Sequence, residues 1–414
     1  MKNKNVRIFQ NIIKIAILLF LTYLAIMHQL KGVVAAPSIH TFCPFGGLES
    51  FFKLIVEGSY IKKIFSATIV LLIGTVILAI ILGRPFCGWI CPLGTLGDLF
   101  NKLGRKLNLK QNPLPEALDK YMKYIKYVGL VILLGITWKT GELVFNLYDP
   151  WATYAHIPAG FEALFDEFKI GSLFLIAGTI GSLWIPQNWC KYFCPMGAFL
   201  AIVSKISPTR LHRNGELCIN CGLCSKICPI SIKVSEMETV STRECYDCGD
   251  CVNVCPKDGA LEYRMLGFKK INWLAYGLIT IFLFYGTIYT SKALKIWNSG
   301  FGSAGEVLKG EHGYPNPYNI KGSLTLHHVI TEFEIPPDLL MKKLSIPEDV
   351  SKDLFLKSIA SKYSFSVHDI RLVILEYLQE KYPDRTYKQP LTGESSKGGH
   401  ASKQGGKKHG SPPN

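Results

Sequence analysis

Two closely spaced copies of one cysteine pattern constrain this chain more than any other feature. Cys218, Cys221, Cys224 and Cys228-Pro229 form C-x2-C-x2-C-x3-C-P, and Cys245, Cys248, Cys251 and Cys255-Pro256 repeat it. A close triplet of thiols wraps three corners of an iron–sulfur cubane, and the fourth cysteine of each run crosses to the neighbouring cluster. Neither half of such a segment folds without the other. The expected ligands are Cys218, Cys221, Cys224 and Cys255 for one 4Fe-4S cluster, and Cys245, Cys248, Cys251 and Cys228 for a second.

The doubled run is that of a two-cluster bacterial ferredoxin. Zinc, the competing metal, prefers tetrahedral sites built from separated C-x2-C pairs rather than two triplets each followed by Cys-Pro. Thirteen cysteines in a small secreted domain would signal disulfides, but here eight of them have ligand spacing. Purely structural clusters are the plainer alternative, yet two clusters side by side form an electron path. No Cys-x-x-Cys-His and no Gly-rich nucleotide fingerprint before a helix occurs, which disfavours covalent haem and a built-in NAD site.

With 48% hydrophobic and only 19% charged residues over 414 positions, the rest of the chain is too apolar for an ordinary soluble protein. Five apolar stretches, at about 8–27, 64–83, 124–138, 170–186 and 272–290, read as membrane helices, the third and fourth least strongly. The first follows Lys2, Lys4 and Arg7. It reads as an uncleaved anchor rather than a signal peptide cut near Ala35-Ala36, because the run is long and interrupted by Lys14. The loop holding Arg84, Lys102, Arg105, Lys106, Lys110, Lys120 and Lys123 is strongly basic and is expected to be cytoplasmic. Glu142, Asp149, Glu162, Asp166 and Glu167 between the third and fourth stretches fit the opposite side. Five crossings put the N-terminus and the ferredoxin module in the cytoplasm and the C-terminal region outside a cytoplasmic membrane. The net charge of +15 lies largely beside apolar runs and in the tail, so nucleic acid is not an expected partner.

A second cysteine motif follows two of the apolar stretches. Gly83-Arg84-Pro85-Phe86-Cys87-Gly88-Trp89-Ile90-Cys91-Pro92-Leu93-Gly94 and Trp189-Cys190-Lys191-Tyr192-Phe193-Cys194-Pro195-Met196-Gly197 share C-x3-C-P-x-G, and Cys43-Pro44-Phe45-Gly46 is a half copy. Repeated helix pairs are implied. Cysteines at i and i+4 share a helix face, while the proline ends or restarts the helix at the second one. Cys87, Cys91, Cys190 and Cys194 are expected to meet beneath the ferredoxin, where they hold a further metal centre or cycle between dithiol and disulfide. The alternative is that small buried cysteines merely pack. His40, Cys43 and Glu49 are candidates for a quinol or metal site on the outer side, against a bland reading in which His40 is a solvated loop residue. Tyr148-Asp149-Pro150-Trp151 reads as an interfacial aromatic anchor.

Beyond residue 300, Leu326, Val329, Phe333, Ile335 and Leu340 recur as Leu356, Ile359, Tyr363, Phe365 and Ile370, suggesting two stacked helical hairpins. Ser395–Asn414 is Gly, Ser, Lys and His in low-complexity order and is expected to be disordered. The fold class is therefore a mainly α membrane protein with an inserted α+β ferredoxin and a small helical domain. Its parts are residues 1–210 (membrane), 211–268 (ferredoxin), 269–292 (fifth helix), 293–385 (helical, extracytoplasmic) and 386–414 (tail).

The ordered set of G-R-P-F-C-x3-C-P-x-G, a second C-x3-C-P and the doubled ferredoxin run resembles the membrane polyferredoxin family, over about residues 1–270. That family includes the quinol-dehydrogenase subunit of periplasmic nitrate reduction, the nitrous-oxide-reductase regulator and a cytochrome-oxidase copper-assembly protein. The resemblance implies electron transfer between the quinone pool, or a cytoplasmic donor, and a redox protein outside the membrane. This chain lacks an obvious covalent-flavin domain, and its fifth helix and C-terminal domain lie outside the shared core. The resulting expectation is a membrane relay, with a quinol-dehydrogenase-like subunit of an oxidoreductase as one form of it. Because a hydrocarbon layer of ~30 Å exceeds the reach of a ferredoxin on one face, a quinone or a further buried centre must bridge it. The rivals are a copper reductase or assembly factor using the C-x3-C thiols, and a redox sensor signalling through the outer domain.

Overall fold

The computed structural model describes residues 2–387, apart from 33, 35, 38, 58–65, 112–113, 142, 161–163, 165–167, 268, 300–303, 311–312 and 348. The expected tail disorder, the acidic side chains Glu142, Glu162, Asp166 and Glu167, the Ala35 cleavage point and the His40 side chain lie outside what is described.

Among the described residues, a helix covers most of each of the five apolar stretches. Helix α1 (Lys2–Lys31) is followed by α2 (Pro44–Glu57), α3 (Ser66–Leu82), α4 (Pro92–Lys106), α5 (Glu116–Met122) and α6 (Ile125–Thr140). After α7 (Pro150–His156) come α8 (Lys169–Gly181), α9 (Asn188–Tyr192) and α10 (Pro195–Val203). The last apolar helix is α13 (Trp273–Ala293). Among the described residues, only Val6–Lys31 and Trp273–Ala293 are long and apolar enough to cross a membrane, and Ser66–Leu82, Lys169–Gly181 and Pro195–Ile206 are shorter apolar helices. At 1.5 Å per residue, α3 covers only ~25 Å of the ~30 Å hydrocarbon thickness. The apolar layer is thus built partly from paired short helices, with α2 against α3 and α10 against α6, while α3 packs along α13. Val131 and Ile132 on α6, Leu173 and Ile176 on α8, and Phe282 and Tyr289 on α13 remain exposed.

Between α10 and α13 the chain forms the ferredoxin module. Its antiparallel sheet has the order β2-β1-β3-β4, with β1 (Thr209–Arg213), β2 (Thr239–Val240), β3 (Leu261–Met265) and β4 (Lys269–Ile271). Leu211 lies opposite both Val240 and Tyr263, and all three are buried, as the period of two along a strand requires. Two short helices, α11 (Leu223–Ile227) and α12 (Asp250–Val254), pack against each other beside the sheet.

One continuous core joins this module to the apolar helices, running from Phe45, Leu78 and Trp89 to Ile230, Tyr263 and Trp273. Only Asn272 separates β4 from α13, and its side chain caps the helix by accepting from the Leu274 amide. Tyr263 of β3 stacks on Trp273 with ring centroids 5.1 Å apart, and Trp273 lies 5.2 Å from Trp89 of the first C-x3-C motif. Such pairs add ~1 kcal/mol each beyond simple burial.

Residues 304–387 form a second core. It contains α14 (Ala304–Leu308), α15 (Leu326–Phe333), α16 (Pro337–Lys343), α17 (Leu356–Lys362) and α18 (Val367–Lys381). Thr325 with His328, and Ser366 with Asp369, form reciprocal capping boxes that start α15 and α18. Leu326, Val329, Phe333, Ile335 and Leu340 are buried in that core, as are Leu356, Ile359 and Ile370, with Tyr363 and Phe365 half-covered against it. The C-terminal end of α1 meets this domain, because a Cβ at Gly32 would strike the Ser323 carbonyl. The N-terminal end of α1 meets the ferredoxin, where Arg7 pairs with Asp250 at 3.4 Å. The two modules therefore sit at opposite ends of a helix ~45 Å long.

Trp151 corrects a sequence expectation. Rather than forming an interfacial anchor, it is 5% exposed and packs with Leu21, Ala25 and Ala155. Asp149 fixes the start of this helix: its side chain accepts from the Trp151 amide at 2.9 Å, capping α7.

Candidate metal centres

The eight ferredoxin cysteines line two separate cavities. Cys218, Cys221, Cys224 and Cys255 surround the first, and Cys228, Cys245, Cys248 and Cys251 the second, each enclosing about 370 Å³. The local chain explains the exchange of the fourth cysteine. Cys228 terminates α11 and Cys255 terminates α12, and the packing of these helices against each other leaves each terminal thiol at the cavity of the other triplet. Each triplet bends through two left-handed residues, Asn220 and Gly222 in one and Asp247 and Gly249 in the other. Gly249 is obligatory, since a Cβ there would collide with the Trp273 ring.

The two cavities differ in environment. Cys221 is exposed, and Leu217, Ile219 and Leu223 beside it are exposed too, so the first opens to solvent. Ile230, Ile232, Val240, Tyr246 and Tyr263, all buried, line the second. The amide of Asn220, and then Arg213, hold the Cys218 thiol below its usual range, which favours the thiolate that metals bind. In the second cavity burial pushes the thiols of Cys245, Cys248 and Cys251 up, a penalty that a bound cation offsets by ionising its ligands. The Tyr246 hydroxyl is buried without a hydrogen-bond partner, leaving a donor beside that site. Among the described residues no three His, Cys, Asp or Glu side chains converge as they would around a single ion. Thiols ringing a cavity fit a body such as a cluster better than one zinc or copper ion.

The second C-x3-C motif type is equally ordered. Cys91 and Cys194 have matching extended conformations, (φ −63°, ψ 122°) and (φ −67°, ψ 113°), and each precedes a proline that starts a helix. Gly94 and Gly197 let those helices begin against the turn before them: a Cβ at Gly94 would stand 2.7 Å from the Cys87 carbonyl oxygen. Cys87, Cys91, Cys190 and Cys194 lie within electrostatic reach of one another. Arg84 stands among them, hydrogen-bonded to Cys87 and near Cys194, with its buried Nε unpartnered.

Arg84 also reaches the ferredoxin. Its amide donates to Asp247 Oδ2 at 2.7 Å, and its Nη1 to the Arg243 carbonyl at 2.7 Å. Gln10 of α1 donates to the carbonyls of both Gly88 and Cys248 at 3.1 Å. Lys126 of α6 pairs with Glu244, which also accepts from the Tyr127 hydroxyl at 2.7 Å. Sequence reasoning missed these ties, although Lys126 at the start of an apolar stretch was the available signal. At the other end of α6, Glu49 accepts from Thr137 at 3.0 Å and from the Phe145 amide at 3.2 Å. Cys43 stands 4.0 Å from Asp149 Oδ2.

The family model of a 4Fe-4S dicluster domain matches residues 210–256, and that of a 4Fe-4S binding domain matches twice, over 66–110 and 170–214. The putative electron transport protein YccM of Escherichia coli is 31% identical over 280 residues, which cover 64% of this chain and 76% of that protein. The chain belongs to the membrane polyferredoxin family. Other relatives of this polyferredoxin include the ferredoxin-type protein NapH of Escherichia coli, 31% identical over 44% of this chain and 63% of its own length. The regulatory protein NosR of Pseudomonas aeruginosa is 31% identical over 39% of this chain and 22% of its own length. No solved structure matches. Each repeated match contains one C-x3-C-P, at Cys87–Pro92 and at Cys190–Pro195, so residues 66–110 and 170–214 are two copies of one unit. The matches support bound iron–sulfur clusters and an electron-transfer role.

Proposed function

We propose that this polyferredoxin holds two 4Fe-4S clusters and relays electrons across a cytoplasmic membrane. The first cluster is assigned to Cys218, Cys221, Cys224 and Cys255, and the second to Cys228, Cys245, Cys248 and Cys251. The observation that carries this reading is the pair of four-thiol cavities, one rimmed by the exposed Cys221 and the other lined by side chains buried in the core shared with the helix bundle. Clusters bound there supply one-electron carriers.

The chain's own residues set the conditions. Leu217, Ile219 and Leu223 offer an approaching cytoplasmic partner an apolar rim around Cys221. Tyr246, Ile230 and Tyr263 give the second site a largely apolar lining, while Arg84 and Gln10 hold its loop against the first C-x3-C motif. At the far end of α6, Glu49 and Asp149 are buried carboxylates beside Cys43. They are placed to take the two protons that a quinol releases with its two electrons. Five crossings, with the ferredoxin on the basic side and the 304–387 domain outside, agree with the exposed apolar side chains on α1, α6, α8 and α13 and with the two modules at opposite ends of α1. The outer domain then receives an extracytoplasmic redox partner.

Anaerobically purified protein should contain about eight irons and as many labile sulfides per chain, and a quinol should bleach its visible absorbance. Cys91→Ser with Cys194→Ser should keep that iron while slowing the quinol-driven bleaching. Stoichiometric copper without iron, or iron centres that no quinol reduces, would overturn the reading.

A further inference from the structure

A polar cavity of about 540 Å³ lies where α1 and α4 meet the ferredoxin, and neither the ligand sites nor the thiol motifs use it. Four cations line it, Arg7, Lys14, Lys102 and Arg105, against two carboxylates, Asp98 and Asp250. The carboxylates are already engaged, Asp98 by Lys14 at 2.6 Å and Asp250 by Arg7 at 3.4 Å. Lys102 donates only to the neutral Asn11 side chain at 3.0 Å. The Nε of Arg105 is buried with no acceptor. Four cations against two carboxylates leave the cavity with an excess of positive charge, and a buried guanidinium donor there lacks an acceptor. Both facts call for an anion with several oxygens.

The surroundings identify the source of that anion. Arg7, Gln10, Asn11 and Lys14 recur on one face of α1, at i, i+3, i+4 and i+7, and line the cavity. The adjoining face carries Ile8, Ile12, Ile15 and Leu19, all exposed, and α4 presents exposed Leu99 and Leu103 next to Lys102. A cationic cavity bordered by bare apolar side chains on the same two helices matches a molecule with an anionic head and hydrocarbon chains. We infer that this cavity binds the phosphate of an anionic phospholipid, with the acyl chains lying over Ile8, Ile12, Leu99 and Leu103. Basic pockets between helices on the cytoplasmic face take such headgroups. The site also reaches the second cluster cavity, because Gln10 holds the Cys248 carbonyl and Arg7 holds Asp250. Lipid in this position braces the loop between Cys248 and Cys251. The inference rests on the proposed membrane placement of α1 but not on the electron-transfer role.

The test uses the full chain, purified in detergent and stripped of lipid. Phosphatidylglycerol, phosphatidylcholine and inorganic phosphate are added separately, and binding is read by native mass spectrometry and by thermal loss of visible absorbance. Phosphatidylglycerol should bind at least tenfold more tightly than phosphatidylcholine and raise the midpoint of absorbance loss, while inorganic phosphate should not compete. Lys102→Gln with Arg105→Gln should abolish that preference and leave iron content unchanged. Arg105→Lys with Lys102→Arg should keep the preference. Equal binding of the two lipids, or a preference untouched by the double neutral variant, overturns the proposal. Competition by inorganic phosphate at comparable affinity makes the cavity a free-anion site and overturns it too. Iron content and quinol reduction, measured on the same preparations, report separately on the electron-carrier reading, and extraction of the protein by alkaline carbonate would remove the membrane placement.

Discussion

The backbone amide of Arg84 donates to Asp247 across 2.7 Å, tying the first C-x3-C motif to the loop between Cys245 and Cys248. The same arginine touches Cys87, so one side chain stands between the second ferredoxin cavity and the bundle thiols. A positive charge there opposes loss of an electron from the neighbouring centre. Replacement by Gln should lower the midpoint of the second cluster. A buried charge worth on the order of 1 kcal/mol to the reduced state corresponds to roughly 45 mV for a one-electron couple. Arg84→Lys should largely retain the midpoint in anaerobic titration. Equal shifts in the two variants would assign the effect to geometry rather than charge.

The crossing of the fourth cysteines predicts a pattern of iron loss. Cys228→Ser combined with Cys245→Ser should lose no more iron than either alone, about four atoms per chain, because both thiols face one cavity. Cys228→Ser with Cys218→Ser should lose about eight. Iron analysis with the opposite pattern would restore pairing within each run.

Lys126 and Glu244 form a pair in which the lysine side chain is 1% exposed. Removing one partner strands a buried charge, so Lys126→Met should cost about 3 kcal/mol in denaturant unfolding followed by loss of visible absorbance. Adding Glu244→Gln should recover part of that loss. An unchanged unfolding midpoint in the single variant would show the pair to be idle.

Gly277 of α13 lies flat against Trp89, and a Cβ there would collide with the indole ring. Gly277→Ala should therefore destabilise by ~1–3 kcal/mol despite improving helix propensity. Gly286 on the same helix has open space around it, so Gly286→Ala should be neutral or stabilising in the same unfolding assay.

The cysteine framework was legible in the sequence because ligand spacing is local: three thiols within seven residues dictate a cluster-binding turn whatever surrounds them. Helix positions followed from apolar runs, but spans did not, since a 17-residue run such as Ser66–Leu82 reads alike whether it crosses alone or packs beside α2. Trp151 was misplaced because a buried aromatic and an interfacial one share a composition, and only its packing with Leu21 and Ala25 tells them apart. Lys14 read as a flaw in the first apolar run. It is the partner of Asp98, and only tertiary contact reveals that.

The single-residue junction at Asn272 leaves the ferredoxin no tether on which to swing. With β4 running straight into α13 and Tyr263 clamped on Trp273, the module is a fixed relay post rather than a shuttle. Lengthening this junction with a flexible insert would change the gap to the bundle before it changed either cluster site.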